Sequence, residues 1–117
     1  MRSICLLTLI FFSQLAVADE NTRQKLSDAL IAGSPWSFSN THVSETENWR
    51  RSEDGSLEYM SSYASGVWIK QNFEANDTIV RPSRAGGNTI TYYLDKDGNA
   101  AAVHSKNPSV LKSIKSK

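Results

Sequence analysis

Asn48-Trp-Arg-Arg-Ser-Glu-Asp-Gly-Ser-Leu-Glu-Tyr-Met-Ser-Ser-Tyr-Ala-Ser-Gly-Val-Trp-Ile-Lys-Gln-Asn-Phe73 is the stretch whose reading decides the fold. Three runs rich in aromatic and β-branched residues are separated by Asp54-Gly55 and Ser65-Gly66, the pattern of an antiparallel meander. A two-residue Asp54-Gly55 loop would set Trp49 beside Met60. A three-residue loop, Glu53-Asp54-Gly55 with Gly55 left-handed, pairs Trp49 with Tyr59 and Arg51 with Leu57, and sets Arg50 against Glu58 on the other face. A slip of one residue moves every side chain across the sheet, so the register that gathers the rings is chosen. The inner face is then Trp49, Arg51, Leu57, Tyr59, Ser61 and Tyr63. At the second turn, an Ala64-Ser65-Gly66 loop puts Val67, Ile69 and Phe73 inside and Trp68 outside. A Ser65-Gly66 loop puts Trp68 inside together with Lys70. The first sorting buries less charge.

Upstream, Met1-Arg2-Ser3, an apolar Ile4 to Phe12 and the small-x-small Ala16-Val17-Ala18 read as a secretory signal peptide over 1–18. The apolar run is shorter than the ~20 residues a membrane span needs. The only cysteine, Cys5, lies within it, so the exported chain would carry no thiol and would rest on buried aromatics. Asp19 to Ala32 reads as a short helix (about 21–32): Asn21 and Gln24 resemble a capping box, Leu26, Ala29, Leu30 and Ile31 make an apolar stripe, and Gly33 with Pro35 ends it. Trp36 to Val43 alternates as a strand with Trp36 and Phe38 on one face. Ser44 to Glu47 reads as a polar, exposed connection or strand start.

Downstream, Glu74 to Asp77 forms a turn and Thr78 to Arg81 a strand ended by Pro82. Ser83-Arg-Ala-Gly-Gly87 is a loop, and Asn88 to Asp95 a strand with Ile90, Tyr92 and Leu94 on one face. A three-residue Lys96-Asp97-Gly98 loop aligns Ala100, Ala102 and His104 with them. Residues 106–117 form a basic tail with one or two helical turns over Pro108 to Ile114, or a solvated end. The expected fold is all-β, a small antiparallel meander barrel or curved sheet of six or seven strands with a short N-terminal helix, as one domain over 19–105. Thirteen basic residues against twelve acidic ones leave a net charge of +1. That balance calls for neither nucleic acid nor an anionic membrane surface, and the short apolar run gives no expectation of stable membrane insertion.

Leu30 to Phe38, Trp49-x-Arg51-x-x-Asp54-Gly55 and Gly66-x-Trp68 together resemble small secreted lipocalin-like domains of the calycin type, over residues 30–73. The resemblance implies an antiparallel barrel closed at one end by Trp36, with an interior that can hold a small ligand, and it would turn Trp68 inward. Pro35 and Arg51 depart from the family pattern, and Arg51 stands where a Phe is expected.

The candidate ligand site is the inner face, Trp49, Arg51, Tyr59, Tyr63 and Tyr92, with Arg51 as the anion-binding anchor. The candidate partner-binding residues are Trp68, Arg84 and Tyr93. His42 and His104 are the only histidines and lack ligand spacing; Asp95 to Asn99 imitates a calcium loop without its later ligands, so no metal and no cofactor are expected. No nucleophile, base and orienter pattern is present, and Glu45 and Glu47 read as exposed, so no enzymatic activity is expected. The sequence therefore points to an exported binding protein, periplasmic or secreted, of inhibitor or immunity type with another exported protein as partner. The alternative is a small-ligand barrel.

Overall fold

The computed structural model describes residues 20–41, 43–74, 77–83 and 87–115. The leader, His42 and Arg84 lie outside the described residues. A helix, α1, is seen from residue 20 to residue 33. Nine strands follow among the described residues: β1 (Trp36–Ser39), β2 (Ser44–Arg51), β3 (Leu57–Ser61), β4 (Ile69–Gln71), β5 (Phe73–Glu74), β6 (Thr78–Pro82), β7 (Thr89–Leu94), β8 (Ala100–His104) and β9 (Val110–Ser113). They form two antiparallel sheets, β4-β3-β2-β1-β9 and β5-β6-β7-β8. β8 and β9 lie beside one another without pairing, so the sheets do not close into a single barrel.

The hairpin predicted to set the register does so. Trp49 faces Tyr59, Arg50 faces Glu58 and Arg51 faces Leu57. Gly55 has φ of 87°, a left-handed conformation that glycine adopts without strain. The Asp54 carboxylate accepts from the Ser56 N–H at 2.9 Å and from the Ser52 hydroxyl. These bonds hold the Asp54 pKa down at about 2. The second turn differs from both sequence readings. A 3-10 turn over Ser62–Ala64, capped by Ser61, lengthens the connection. Tyr59 then faces Ile69 rather than Gln71. The shift is by two residues, so the faces are kept: Ile69 stays on the Tyr59 side and Trp68 on the opposite one. The β7–β8 hairpin also follows its turn, with Tyr92 facing Ala102 and Ile90 facing His104.

Among the described residues one core lies between the sheets. Leu26 and Leu30 of α1, Phe38, Trp49, Tyr59, Ile79, Ile90 and Tyr92 are all buried there. The small side chains of Ala100 and Ala102 leave room for the large ring of Tyr92. The helix is tied in by polar bonds as well as by its stripe: Trp36 Nε1 donates to the Leu30 carbonyl at 2.8 Å, and the Trp49 N–H donates to Ser34 Oγ at 2.9 Å. Gly33 lies so close to the Trp36 ring that an added Cβ would sit 2.2 Å from it.

The C-terminal run is not a tail. Val110–Ser113 pairs with β1, from Trp36↔Ser113 to Ser39↔Val110, and Leu111 packs against the core. Its lysines concealed this, because only one side of a two-sided edge strand needs to be apolar.

Candidate functional site

The site begins with alternation along β2. Glu45, Glu47 and Trp49 point between the sheets, and Thr46, Asn48 and Arg50 point away. This corrects the expectation that Glu45 and Glu47 are exposed: they are 6% and 0% accessible. A charged group tolerates such burial only with a partner. The partner comes from the other sheet. Arg81, on the inner face of β6, directs Nη2 to Glu45 Oε1 and, at 2.9 Å, to Glu47 Oε2.

The rest of the network fills the remaining positions. Arg81 Nε donates to Tyr92 Oη at 2.8 Å, and the Tyr92 hydroxyl donates to Glu47 Oε2 at 2.7 Å. Arg81 Nη1 donates to the Pro82 carbonyl at 3.2 Å. Glu47 Oε1 accepts from Trp49 Nε1 at 3.3 Å. Glu45 accepts from the Tyr59 hydroxyl at 3.1 Å and from Ser61 Oγ at 2.9 Å. The guanidinium also lies 4.5 Å from the centre of the Tyr59 ring.

Burial pushes the Glu47 carboxyl up from 4.5 to about 7; the Arg81 charge opposes the rise, and the adjacent Glu45 carboxyl adds to it. Burial likewise raises the Tyr59 and Tyr92 phenols well above their ordinary range. Burial disfavours the charge on Arg81, but the surrounding Tyr92, Glu47, Tyr59 and Glu45 outweigh it and raise its pKa.

At the Glu45 end of β2 the sheets part, leaving an open pocket of about 340 Å³. Its floor is Glu45, Tyr59, Ser61 and Arg81; Tyr63, Ile69, Gln71, Pro82 and Ser83 form its sides. Behind Ser83 stands the buried His104. Its Nδ1 accepts from the backbone N–H groups of Lys106 (3.1 Å) and Asn107 (3.2 Å), so the ring proton sits on Nε2 and is donated to Ser83 Oγ at 3.2 Å. In that tautomer the imidazole cannot take a proton from the serine.

Of the ligand-site residues expected from the sequence, Trp49, Tyr59 and Tyr92 do come together. Trp49 lies 5.2 Å from Tyr59 and 4.9 Å from Tyr92, ring centre to ring centre. They pack the interior, and only Tyr59 reaches the pocket. Tyr63 is on the pocket rim, its hydroxyl donating to the Ser44 carbonyl at 2.8 Å. Arg51 is elsewhere. It is on the inward side of β2 but exposed at its far end, six residues from Glu45, roughly 20 Å along the strand. There its Nη1 donates to the Gly55 carbonyl at 3.1 Å and its Nη2 lies 3.5 Å from Asp28 of α1. Trp68 lies on the outer face of the first sheet under the Arg50 guanidinium at 4.0 Å. That is the side on which the Ala64-Ser65-Gly66 sorting puts it, although the turn itself differs. Tyr93 is on the outer face of β7.

Sequence patterning puts Ser61 on the inner face but does not mark Glu45, Glu47 or Arg81 as pocket or network residues. The available signal was alternation: Glu45 and Glu47 stand at i−4 and i−2 from Trp49, and Arg81 at i+2 from Ile79. Comparison of the chain with protein-family models, with curated proteins and with solved structures gives no match.

Proposed function

We propose that this is a non-enzymatic binding protein that grips its partner at the pocket between the sheets. One observation carries the reading: a polar floor already fixed by its own hydrogen bonds opens onto an apolar rim. Tyr63 and Ile69 on that rim are 46% and 49% exposed, with the exposed Val67 between them in sequence. A free small molecule would fill the pocket and leave this rim wet. Another protein would cover the rim and insert one side chain, the arrangement of a binding hot spot. The favoured partner is therefore another exported protein, met in the periplasm or secreted space to which the leader-like start directs the chain, in an inhibitor or immunity role. The non-enzymatic reading is supported by Glu45 and Arg81 neutralising one another and by the His104 tautomer, which leaves Ser83 unactivated.

The pocket volume favours a second reading, a small-ligand site, because ligand pockets start at roughly 300 Å³. Arg51, expected as the anion anchor of such a site, lies outside the pocket. The two readings separate with wild type, Ile69→Asp at the rim and Val103→Asp on the outer face of β8, each shown folded by its melting curve. Retention of one exported protein by wild type and Val103→Asp, and its loss with Ile69→Asp, is the expected result. Equal retention by Ile69→Asp would end the pocket reading. Thermal stabilisation by the low-molecular-weight fraction alone would select the second reading.

A further inference from the structure

The network at the floor of the pocket holds two carboxyls and one guanidinium, so it is short of one positive charge once both carboxyls are ionised. Glu45 and Glu47 converge on the single guanidinium of Arg81. The other titratable groups facing them are Tyr59 from β3 and Tyr92 from β7, whose phenols stay protonated. Arg50 and Lys70 stand on the opposite face of the first sheet. Among the described residues no second cation reaches the cluster.

Of the two carboxylates, Glu45 is the one that lines the pocket. Its Oε1 accepts from Tyr59 and Arg81, whereas Oε2 accepts from Ser61 Oγ. A carboxylate offers about four acceptor positions. Oε2, the oxygen on the Ser61 side, is the one turned toward a pocket residue, and the Glu47 carboxyl is also hydrogen-bonded to Glu45. A buried pair of carboxyls that shares one guanidinium beside an apolar opening is completed by a cation whose own stem is apolar.

We propose that the pocket takes the head of an organic cation, an alkylammonium or alkylguanidinium group, on Glu45 Oε2, with its stem along Tyr63 and Ile69. The assignment rests on the binding reading above and names the chemistry of what enters. The same head is carried by a free amine and by a lysine or arginine side chain of a protein partner.

The state of Glu47 supports the assignment. Its carboxyl, raised to about 7, holds a proton as pH falls below about 7 when the pocket is empty. An arriving cation favours the ionised form and expels that proton. Binding therefore strengthens as pH rises, by about tenfold between pH 6 and pH 8 if the bound state is fully ionised.

The test is titration of the wild-type protein with n-butylammonium, butyrate and n-butanol at these two pH values, following the backbone amide NMR signals of Ser61, Ile69 and Gln71. The expected result is a butylammonium affinity at least tenfold above that of the other two, with the stated rise in pH. Glu45→Gln should remove that preference, and the wild-type comparison decides even if this variant fails to fold. A lysine-centred tripeptide binding more tightly than butylammonium assigns the head to a protein partner, and the reverse order to a free amine. Butyrate or butanol binding equally well at these amides overturns the cation assignment but leaves the pocket in use. No probe shifting them, together with full partner retention by Ile69→Asp, overturns the pocket reading as well.

Discussion

Arg50 and Arg81 are each set between a glutamate and an aromatic ring, yet they do different work. Arg50 stacks on Trp68 at 4.0 Å and bonds Glu58 at 2.9 Å, with 49% of its side chain in water. Arg81 stacks on Tyr59 and bonds Glu45 and Glu47, with 8% exposed. The pairs look alike in a contact diagram. Water separates them: solvent screens the first and can replace either partner, while nothing replaces the second. The outer pair adjusts the surface of one sheet. The inner one joins two sheets and forms the floor of the pocket.

The strongest way to break the comparison is Arg81→Met, which strands two buried carboxylates. We expect a loss of about 3–5 kcal/mol at pH 7 by urea denaturation, partly recovered near pH 5 where the Glu47 carboxyl is protonated. If Arg50→Ala cost as much, burial would not be the distinction. Next comes Glu47→Gln. The folded pKa of Glu47 is raised from 4.5 to about 7, so its contribution is complete below the unfolded value and lost as pH rises through about 7. Relative to the glutamine variant, wild type should lose on the order of 3 kcal/mol between pH 4.5 and pH 8. Parallel curves for the two proteins would mean that Glu47 is ionised throughout. Gly33→Ala is a packing control outside the network: the Trp36 ring must move, at a cost of about 1–3 kcal/mol in the melting transition. Trp68→Ala and Arg50→Ala should each cost less than about 1 kcal/mol. Arg51→Ala should cost roughly the same small amount and leave partner retention unchanged, because it lies at the other end of β2 from the pocket.

What the sequence disclosed tracks how far apart the interacting residues lie. The β2–β3 and β7–β8 registers were readable because Asp54-Gly55 and Asp97-Gly98 dictate pairings a few residues away. The helix was readable from Leu26 and Leu30. Glu45 and Glu47 were misplaced because their partner is 36 and 34 residues on, and no local pattern reports that a carboxylate has a guanidinium waiting across a sheet gap. Arg51 misleads for the opposite reason. Its parity put it on the inner face, but parity cannot reveal that the core ends before the strand does. Residues 110–113 carry no periodicity of their own, and only an open edge on β1 makes them a strand.

That late strand has a consequence for how the molecule is born. Residues 36–39 leave the ribosome early, but one flank of their hydrogen-bonding ladder is supplied by 110–113. The first ribbon synthesised is thus among the last to be fenced on both sides, and until then it offers a bare edge to any neighbouring nascent chain. A chain cut or blocked before residue 110 would keep every residue of the pocket in sequence and still be the form most prone to clump.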